Sequence, residues 1–314
     1  MSDVVSSFES AMRCFYNEGY FLPLPEGHPF PMAKFPQAHA LLQAESPELE
    51  IIDVQPIGFT ELLRVHTMPY LQTVGTRALP AYDRNRLGLP AHERLLERCR
   101  METAGTVAAA HAALEDGIAA NLAGGTHHAF ADRGLGFCVL NDVAVAVQDV
   151  LARQPGTRIL VVDSDAHQGN GTHALLADVP EVFCYDIHVG RNYPAQKVPG
   201  NFDVPLERFV QGDLYLERLA ETLPQAFERA EPDLVLWIAG ADNHRDDRFG
   251  QMHLSTEQMT ARDGFVLEVC LRWEVPVAVL YGGGYNRAAA QTPRLHANTV
   301  QTAQRIFSGV LSTT

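Results

Sequence analysis

The stretch RILVVDSDAHQGNG, residues 158–171, contains the strongest fold signal in the sequence. Its first half is an apolar run of strand length, and polar residues and glycines follow at once. Three later segments repeat the pattern: VFCYDI at 182–187, DLVLWIAG at 233–240 and PVAVLYG at 276–282. Continuous apolar strands are typical of a parallel sheet that helices cover on both faces.

Helical patterns alternate with these strands. The later ones are expected at about 212–229, 256–272 and 287–308. Upstream, the alanine-rich run Met101–Leu122 predicts a helix that stops at Gly124-Gly125. Asn141 is placed to cap the N-terminus of a further helix, DVAVAVQDVLA, which directly follows it. Proline-rich FLPLPEGHPFPMAKFP, residues 21–36, predicts an ordered loop because prolines at that density exclude a regular helix.

These elements predict an α/β fold, a three-layer sandwich with a mostly parallel central sheet flanked by helices. No linker composition interrupts the series, so we expect a single domain over residues 1–314. The sequence has no apolar run near the roughly 18 residues that a membrane span needs, and its N-terminus lacks a signal-peptide pattern. Five widely spaced cysteines without a CxxC indicate reduced thiols. We therefore expect a cytoplasmic protein.

The charge balance excludes one class of partner. The chain has 24 Lys+Arg against 38 Asp+Glu, a net charge of −14. A protein that owes its affinity to neutralising phosphates needs the opposite sign, so we expect no direct nucleic-acid binding. The composition does not distinguish a monomer from an oligomer.

Polar residues that follow the strands are the candidates for chemistry, because ligands of α/β sheets bind beyond the carboxyl ends of the strands. Asp165 and His167 stand two apart on an extended segment and can reach one cation, and Asp242 can supply a third ligand. Two carboxylates and one imidazole suit Zn²⁺ and also accept Fe²⁺ or Mn²⁺. The alternative is that the aspartates cap a helix and the histidine packs in a loop.

Two glycine-rich segments add groups for acid–base chemistry. His127 and His128 follow Gly124-Gly125, in what we expect to be a loop between two helices, and a neutral imidazole can act as a general base. Tyr285 follows three glycines, and a phenol can stabilise an oxyanion by donating a hydrogen bond. The same glycines could hold a phosphate, but the Lys-Ser/Thr of a P-loop is absent.

At these residues the sequence resembles the zinc-dependent histone deacetylase superfamily, which has the arginase/deacetylase fold. The matching stretches, in the family's order, are GGTHHAFADRGLGFCVLNDVAVAV, VVDSDAHQGNGTH, GADNHRDDRFG and YGGGYN. The upstream FLPLPEGHPFPMAKF and the DAHQGNG segment resemble the class IV branch and its bacterial relatives.

The resemblance implies a role for each matching residue. The zinc ligands would be Asp165, His167 and Asp242. The catalytic residues would be the base His128, its partner His127, Asp163 behind His127, Asn170 behind His128, and Tyr285. The walls of the substrate channel would be Gly136, Phe137 and Phe249. A structural K⁺ would be held, partly through backbone oxygens, by Asp163, Asp165, His167, Asp186 and Ile187.

Two departures from the family pattern have consequences. Asn170 stands where many members have an aspartate, and a neutral amide does not favour the imidazolium, so we expect His128 to stay neutral near pH 7. The loop that usually grips the substrate backbone with an aspartate is not recognisable around Pro80–Pro90, where Asp83 is a weak counterpart.

The resemblance implies zinc-dependent removal of acetyl or longer fatty acyl groups from lysine ε-amines of a protein or peptide. Three alternatives stay open. The substrate could be a small acylated amine such as an acetylpolyamine. A ureohydrolase with two Mn²⁺ ions is less favoured, since His244 stands where that branch has a second acid. A catalytically inactive acyl-lysine-binding module is disfavoured, since the ligands, base and tyrosine are all present.

Overall fold

In a computed structural model, which describes residues 11–309, the fold is built on a parallel sheet. The strands are β1 (Arg13–Tyr16), β2 (Glu50–Asp53), β3 (Ile118–Asn121), β4 (Ile159–Asp163), β5 (Val182–Val189), β6 (Phe202–Leu206), β7 (Val210–Gln211), β8 (Leu234–Ile238), β9 (Met252–His253) and β10 (Val277–Leu280). The helices are α1 (Lys34–Glu45), α2 (Phe59–Leu62), α3 (Met68–Gly75), α4 (Ala81–Leu87), α5 (Leu95–Asp116), α6 (Asp142–Arg153), α7 (Asn170–Leu176), α8 (Gly212–Ala230), α9 (Thr256–Arg272) and α10 (Gln291–Phe307). The residues examined for a signal peptide lie largely outside the described range.

Eight strands form the main sheet in the order β2-β1-β3-β10-β8-β4-β5-β6, and all neighbours are parallel. The four central strands β3, β10, β8 and β4 are buried along their whole length, as continuous apolar runs predict. Helices α5 and α6 pack together, and α1, α10, α9 and α8 form a second packed row. The predicted fold class, a parallel sheet flanked by helices, is confirmed.

The helix predicted over Met101–Leu122 is confirmed as far as Asp116, and the prediction was wrong for its last six residues. Helix α5 ends at Asp116, where Gly117 takes a left-handed conformation with φ 86°, and Ile118–Asn121 form β3. A short apolar run after alanines does not distinguish a strand from more helix by periodicity. The loop with His127 and His128 therefore follows a strand, not a helix, and reaches the same sheet edge as the other candidate residues.

The proline-rich segment was mostly predicted correctly. It is irregular until Ala33, but its last three residues form the first turn of α1. Pro36 is tolerated there because the first turn of a helix has no intrahelical acceptor for its N–H groups. The cap at Asn141 is confirmed, since its side-chain oxygen accepts from the Ala144 N–H at 2.9 Å.

Two further findings concern the chain as a whole. All five cysteines are free and buried, as predicted. Among the helices of residues 11–309, none combines the length and the apolar character that crossing a membrane requires.

Candidate active site

The candidate residues converge at the carboxyl ends of four adjacent strands. His127 and His128 follow β3, Tyr285 follows β10, Asp242 follows β8, and the segment with Asp165 follows β4. Because these strands are neighbours and parallel, their following loops meet at one edge of the sheet. The local sequence, an apolar strand and then glycines and polar residues, is what places each side chain there.

Asp165, His167 and Asp242 form one buried group, with ligand atoms within 4.8 Å of one another. His167 Nδ1 lies 3.1 Å from Asp165 Oδ1 and 2.8 Å from Asp242 Oδ2. Backbone N–H groups orient the carboxylates: Gly283 donates to Asp165 Oδ2 at 2.7 Å, and Ala166 donates to Asp242 Oδ1 at 2.9 Å. The three side chains are thus held around a common centre.

The electrostatics of this group fit a cation. Burial and the adjacent Asp165 carboxylate raise the pKa of Asp242 to about 7. Two buried carboxylates that face each other are mutually destabilising, and a divalent ion between them removes that repulsion. Two carboxylate oxygens and one imidazole nitrogen are donors that Zn²⁺ accepts in open, three-ligand sites.

The two adjacent histidines have opposite electrostatic environments. His127 Nδ1 lies 2.6 Å from Asp163 Oδ2, whereas His128 Nδ1 lies 3.0 Å from the amide oxygen of Asn170. Burial lowers the pKa of His127, but the Asp163 and Asp165 carboxylates outweigh it and raise this pKa to about 9. Burial and the neighbouring His127 hold the pKa of His128 well below its usual value. The pair therefore combines a charged and a neutral ring.

Asp142, which sequence reasoning did not single out, fixes the loop that carries these histidines. Its carboxylate accepts from the N–H groups of Gly125 at 2.9 Å and Thr126 at 2.7 Å, and from the Thr106 hydroxyl. The only signal in the sequence was an acidic residue directly after a helix cap, which is common at helix starts.

A cleft of about 330 Å³ leads to this edge, and His128, His167 and Tyr285 line it. The three residues predicted as channel walls also line it, namely Gly136, Phe137 and Phe249. Tyr193, which was not predicted, completes the wall with its ring centroid 5.0 Å from that of His128, edge-on.

Gly136 has no room for a side chain. A Cβ at this position would lie 2.8 Å from atoms of both His128 and Tyr193, and its φ of +52° also favours glycine. The stretch Gly136-Phe137 thus keeps the passage open.

Tyr285 is held by its backbone and its ring, which leaves its hydroxyl available. Its N–H donates to Asp247 Oδ2 at 2.6 Å, and its carbonyl accepts from Arg248 Nε at 3.0 Å. Its ring centroid is 5.3 Å from Phe249, 5.8 Å from Phe137 and 6.1 Å from Phe30. Within residues 11–309 its hydroxyl has no hydrogen-bond partner, and burial near two carboxylates raises the pKa of the phenol.

The residues expected to hold K⁺ lie at the end of β4 and in β5. Asp163 pairs in register with Asp186, and Ile187 follows on β5. Asp186 accepts from the Gly169 N–H at 2.8 Å and contacts His188 Nδ1 at 2.7 Å. A second acidic group, which the sequence did not reveal, also includes Asp186, together with His173 and Asp203.

Two other predicted residues lie outside the metal group and the cleft. Asp83 is on α4, but the cleft lining from that helix is Asn85, Arg86 and Leu87. His244 hydrogen-bonds to the Asn286 amide oxygen at 3.0 Å and the Thr256 hydroxyl at 3.3 Å.

Buried Arg262 on α9 supports the loop that carries Asp242. Its guanidinium donates to the Gly240 carbonyl and, at 3.0 Å, to the Asn243 amide oxygen. It also pairs with buried Asp263 at 2.7 Å. The loop is therefore anchored to a helix beneath the sheet edge.

We expect Arg262→Met to lower the free energy of unfolding by about 3–5 kcal/mol, because it leaves Asp263 as an unpaired buried carboxylate. Urea denaturation measures this. Arg272→Met removes an exposed arginine from the same helix and should change stability by no more than about 0.5 kcal/mol. Equal losses in the two variants would contradict the proposed anchor.

Known proteins are similar in sequence to this chain over most of its length. The family model described as histone deacetylase domain matches residues 28–301. An uncharacterized protein of Picosynechococcus is 38% identical over 86% of this chain and 91% of its own length. Histone deacetylase 2 of Arabidopsis thaliana is 29% identical over 94% of this chain and 79% of its own, and acetoin utilization protein AcuC of Bacillus subtilis is 31% identical over 70% and 63%.

A solved structure has the same fold. The crystal structure of the HDA15 HD domain matches with a TM-score of 0.80 and covers 97% of this chain and 90% of that domain. The two sequences are 21% identical, so this match concerns the fold.

Proposed function

The chain belongs to the histone deacetylase family of amide hydrolases, and we propose that it is a zinc-dependent enzyme that removes acyl groups from lysine ε-amines. The observation that carries the proposal is the meeting of three features at the base of one cleft. They are the group of Asp165, His167 and Asp242, the neutral His128, and the unpartnered hydroxyl of Tyr285.

In this proposal Asp165, His167 and Asp242 hold Zn²⁺, and the same donors accept Fe²⁺. The bound ion supplies Lewis-acid polarisation of the substrate carbonyl and a lower pKa for the attacking water. A structural K⁺ is held, partly through backbone oxygens, by Asp163, Asp165, His167, Asp186 and Ile187. The geometry supports the metal assignment, since two buried carboxylates and one buried imidazole place their ligand atoms within 4.8 Å of one another.

The chain's own groups then move the protons. His128 Nδ1 donates to the Asn170 oxygen, which leaves Nε2, 3.2 Å from His127 Nε2, as the nitrogen that accepts a proton from the attacking water. As the carbonyl oxygen gains negative charge, the Tyr285 hydroxyl donates a hydrogen bond to it. The proton on His128 then passes to the amine nitrogen as the C–N bond breaks, while the charged His127, held by Asp163, orients the leaving group.

The cleft walls support a lysine-like stem. Phe137 and Phe249 present rings, and Gly136 leaves room for a chain without branches. An extended aliphatic stem fits between such apolar walls and brings the acyl amide to the base of the cleft.

An acyl-length panel on the zinc-loaded protein tests the proposal. We expect the acyl group to be released as a carboxylate from acetyl-, decanoyl- or myristoyl-lysine peptides, which leaves a free lysine in the peptide and is measured by mass spectrometry, and we expect little cleavage of acetylputrescine. Chelation should stop the reaction and Zn²⁺ should restore it. If the metal-loaded protein cleaves acetylputrescine alone, the substrate is a small acylated amine. If it binds acyl-lysine peptides without cleaving them, it is a binding module.

A further inference from the structure

The part of the cleft that exposed Arg86 and Arg248 line is called its mouth below. The mouth is positively charged, although the whole chain has a net charge of −14. Beyond the histidines at its base, the cleft is lined by two charged residues, Arg86 and Arg248, and by no aspartate or glutamate. We propose that this mouth selects acyl-lysine within an acidic peptide segment, whose carboxylates contact the two arginines. This inference rests on the proposed function and adds the substrate's sequence context.

Arg86 is fixed at the mouth by the end of α4. The Arg86 carbonyl accepts from the Gly136 N–H at 3.1 Å, and the Leu87 carbonyl accepts from the Phe137 N–H at 2.7 Å. The last turn of α4 is thereby fastened to the channel wall. The Arg86 guanidinium lies 5.3 Å from the ring centroid of Tyr82, which is 68% exposed, so the charge faces solvent.

Arg248 occupies a second position on the mouth. Its Nε donates to the Tyr285 carbonyl at 3.0 Å, and its Nη2 donates to the Pro29 carbonyl at 2.6 Å. These acceptors are neutral, so they orient the guanidinium without cancelling its charge. In the described part of the chain, neither Arg86 nor Arg248 forms an ion pair with a carboxylate.

Two further cations contact residues that line the cleft. Lys197 donates to the carbonyl of the lining residue Asn192 at 2.7 Å, and Arg208 donates to the side chain of the lining residue Gln251 at 2.7 Å. The adjacent acid, Asp247, is turned inward, where its carboxylate accepts from three backbone N–H groups, those of Phe249, Gly250 and Tyr285.

This arrangement favours anionic groups beside the acylated lysine and disfavours polycations. Exposed charge pairs are each worth little, so we expect a preference of about fivefold, which salt reduces. The local charge also explains why the net charge of the chain does not indicate the substrate, since the residues that line the cleft include no aspartate or glutamate.

Three matched peptides test the inference with the full-length, zinc-loaded protein. Each carries one acyl-lysine, flanked on both sides by Glu, Gln or Arg. We expect kcat/KM for the Glu-flanked peptide to exceed that for the Arg-flanked peptide by about fivefold at low salt, and the ratio to approach one near 1 M salt.

A pair of variants assigns the preference to the mouth. Arg86→Glu should remove most of the preference for the Glu-flanked peptide, while Arg248 keeps its positive charge. Arg84→Glu makes the same charge change on the same helix outside the cleft lining, and it should keep the original order. Equal rates for the Glu- and Arg-flanked peptides in the unmodified protein would overturn the inference. So would an equal change of all three rates in Arg86→Glu, because that result indicates a structural effect.

Binding separates this inference from the proposed function. If no acyl-lysine peptide is cleaved, the proposed function fails. Fluorescence anisotropy with the labelled Glu- and Arg-flanked peptides then decides the inference. Tighter binding of the Glu-flanked peptide, lost in Arg86→Glu, supports it, and equal binding overturns it.

Discussion

Tyr285→Phe is expected to keep its metal and to lose about a hundred-fold or more in kcat. The substitution removes one hydroxyl and leaves the ring, which packs against Phe249, Phe137 and Phe30. Because the ring contacts remain, the cleft should keep its shape and KM should change little. A large fall in kcat with a small change in KM indicates an interaction made only in the transition state.

The structure gives two reasons to expect the hydroxyl to act on the substrate. Its position is set by backbone contacts, from the Tyr285 N–H to Asp247 and from Arg248 to the Tyr285 carbonyl. Its pKa is raised by burial and by Asp165 and Asp242, so the phenol stays protonated and keeps a proton to donate. A donor that is fixed in place beforehand stabilises developing charge without reorganisation.

Tyr281→Phe is the matched control. Tyr281 lies just after the same strand and, like Tyr285, has a hydroxyl without a hydrogen-bond partner. Its ring, however, stacks on His296 outside the cleft. We expect this variant to keep its kcat. Steady-state kinetics on an acetyl-lysine peptide, elemental analysis and thermal unfolding on both variants make the comparison. Parental turnover in Tyr285→Phe would show that the tyrosine is not the donor.

The central strands were predictable because they are buried on both faces, and such burial produces unbroken apolar runs like VLWI in β8. The outer strands β1, β2 and β6 were missed, since RCFY, EIID and FDVPL mix charged and apolar residues instead of forming an unbroken apolar run. Strand β3 was read as helix because IAAN follows an alanine-rich helix directly.

The residues of the site also fall into two groups, those that the sequence indicated and those that it did not. Aspartates, histidines and a tyrosine after strands were predictable because their chemistry depends on residue type and spacing. Tyr193, Phe30 and Asp142 were missed because their contributions depend on position in three dimensions, which no local pattern encodes. The positive charge of the mouth could be predicted least of all. Arg86 and Arg248 are far apart in sequence, and their charge is opposite in sign to the net charge of the chain.

Asp165→Ala and His167→Ala are each expected to reduce the zinc content from about one ion per chain to almost none, because three ligands are the minimum for a catalytic zinc site. Elemental analysis after dialysis measures this. His244→Ala is the matched control, two residues after Asp242, where the imidazole contacts Asn286 and Thr256. It should retain its zinc. Two ions per chain in the unmodified protein would instead favour a two-metal centre.

Stability gives an independent readout of the same ligands. A metal that binds only the folded state, at about a thousand times its Kd, adds about 4 kcal/mol to the free energy of unfolding. Zinc should therefore raise the Tm of the unmodified protein and of His244→Ala, and leave the Tm of His167→Ala unchanged. Full zinc content and a zinc-dependent Tm in both ligand variants would refute the ligand set, because neither side chain would then be needed to hold the ion.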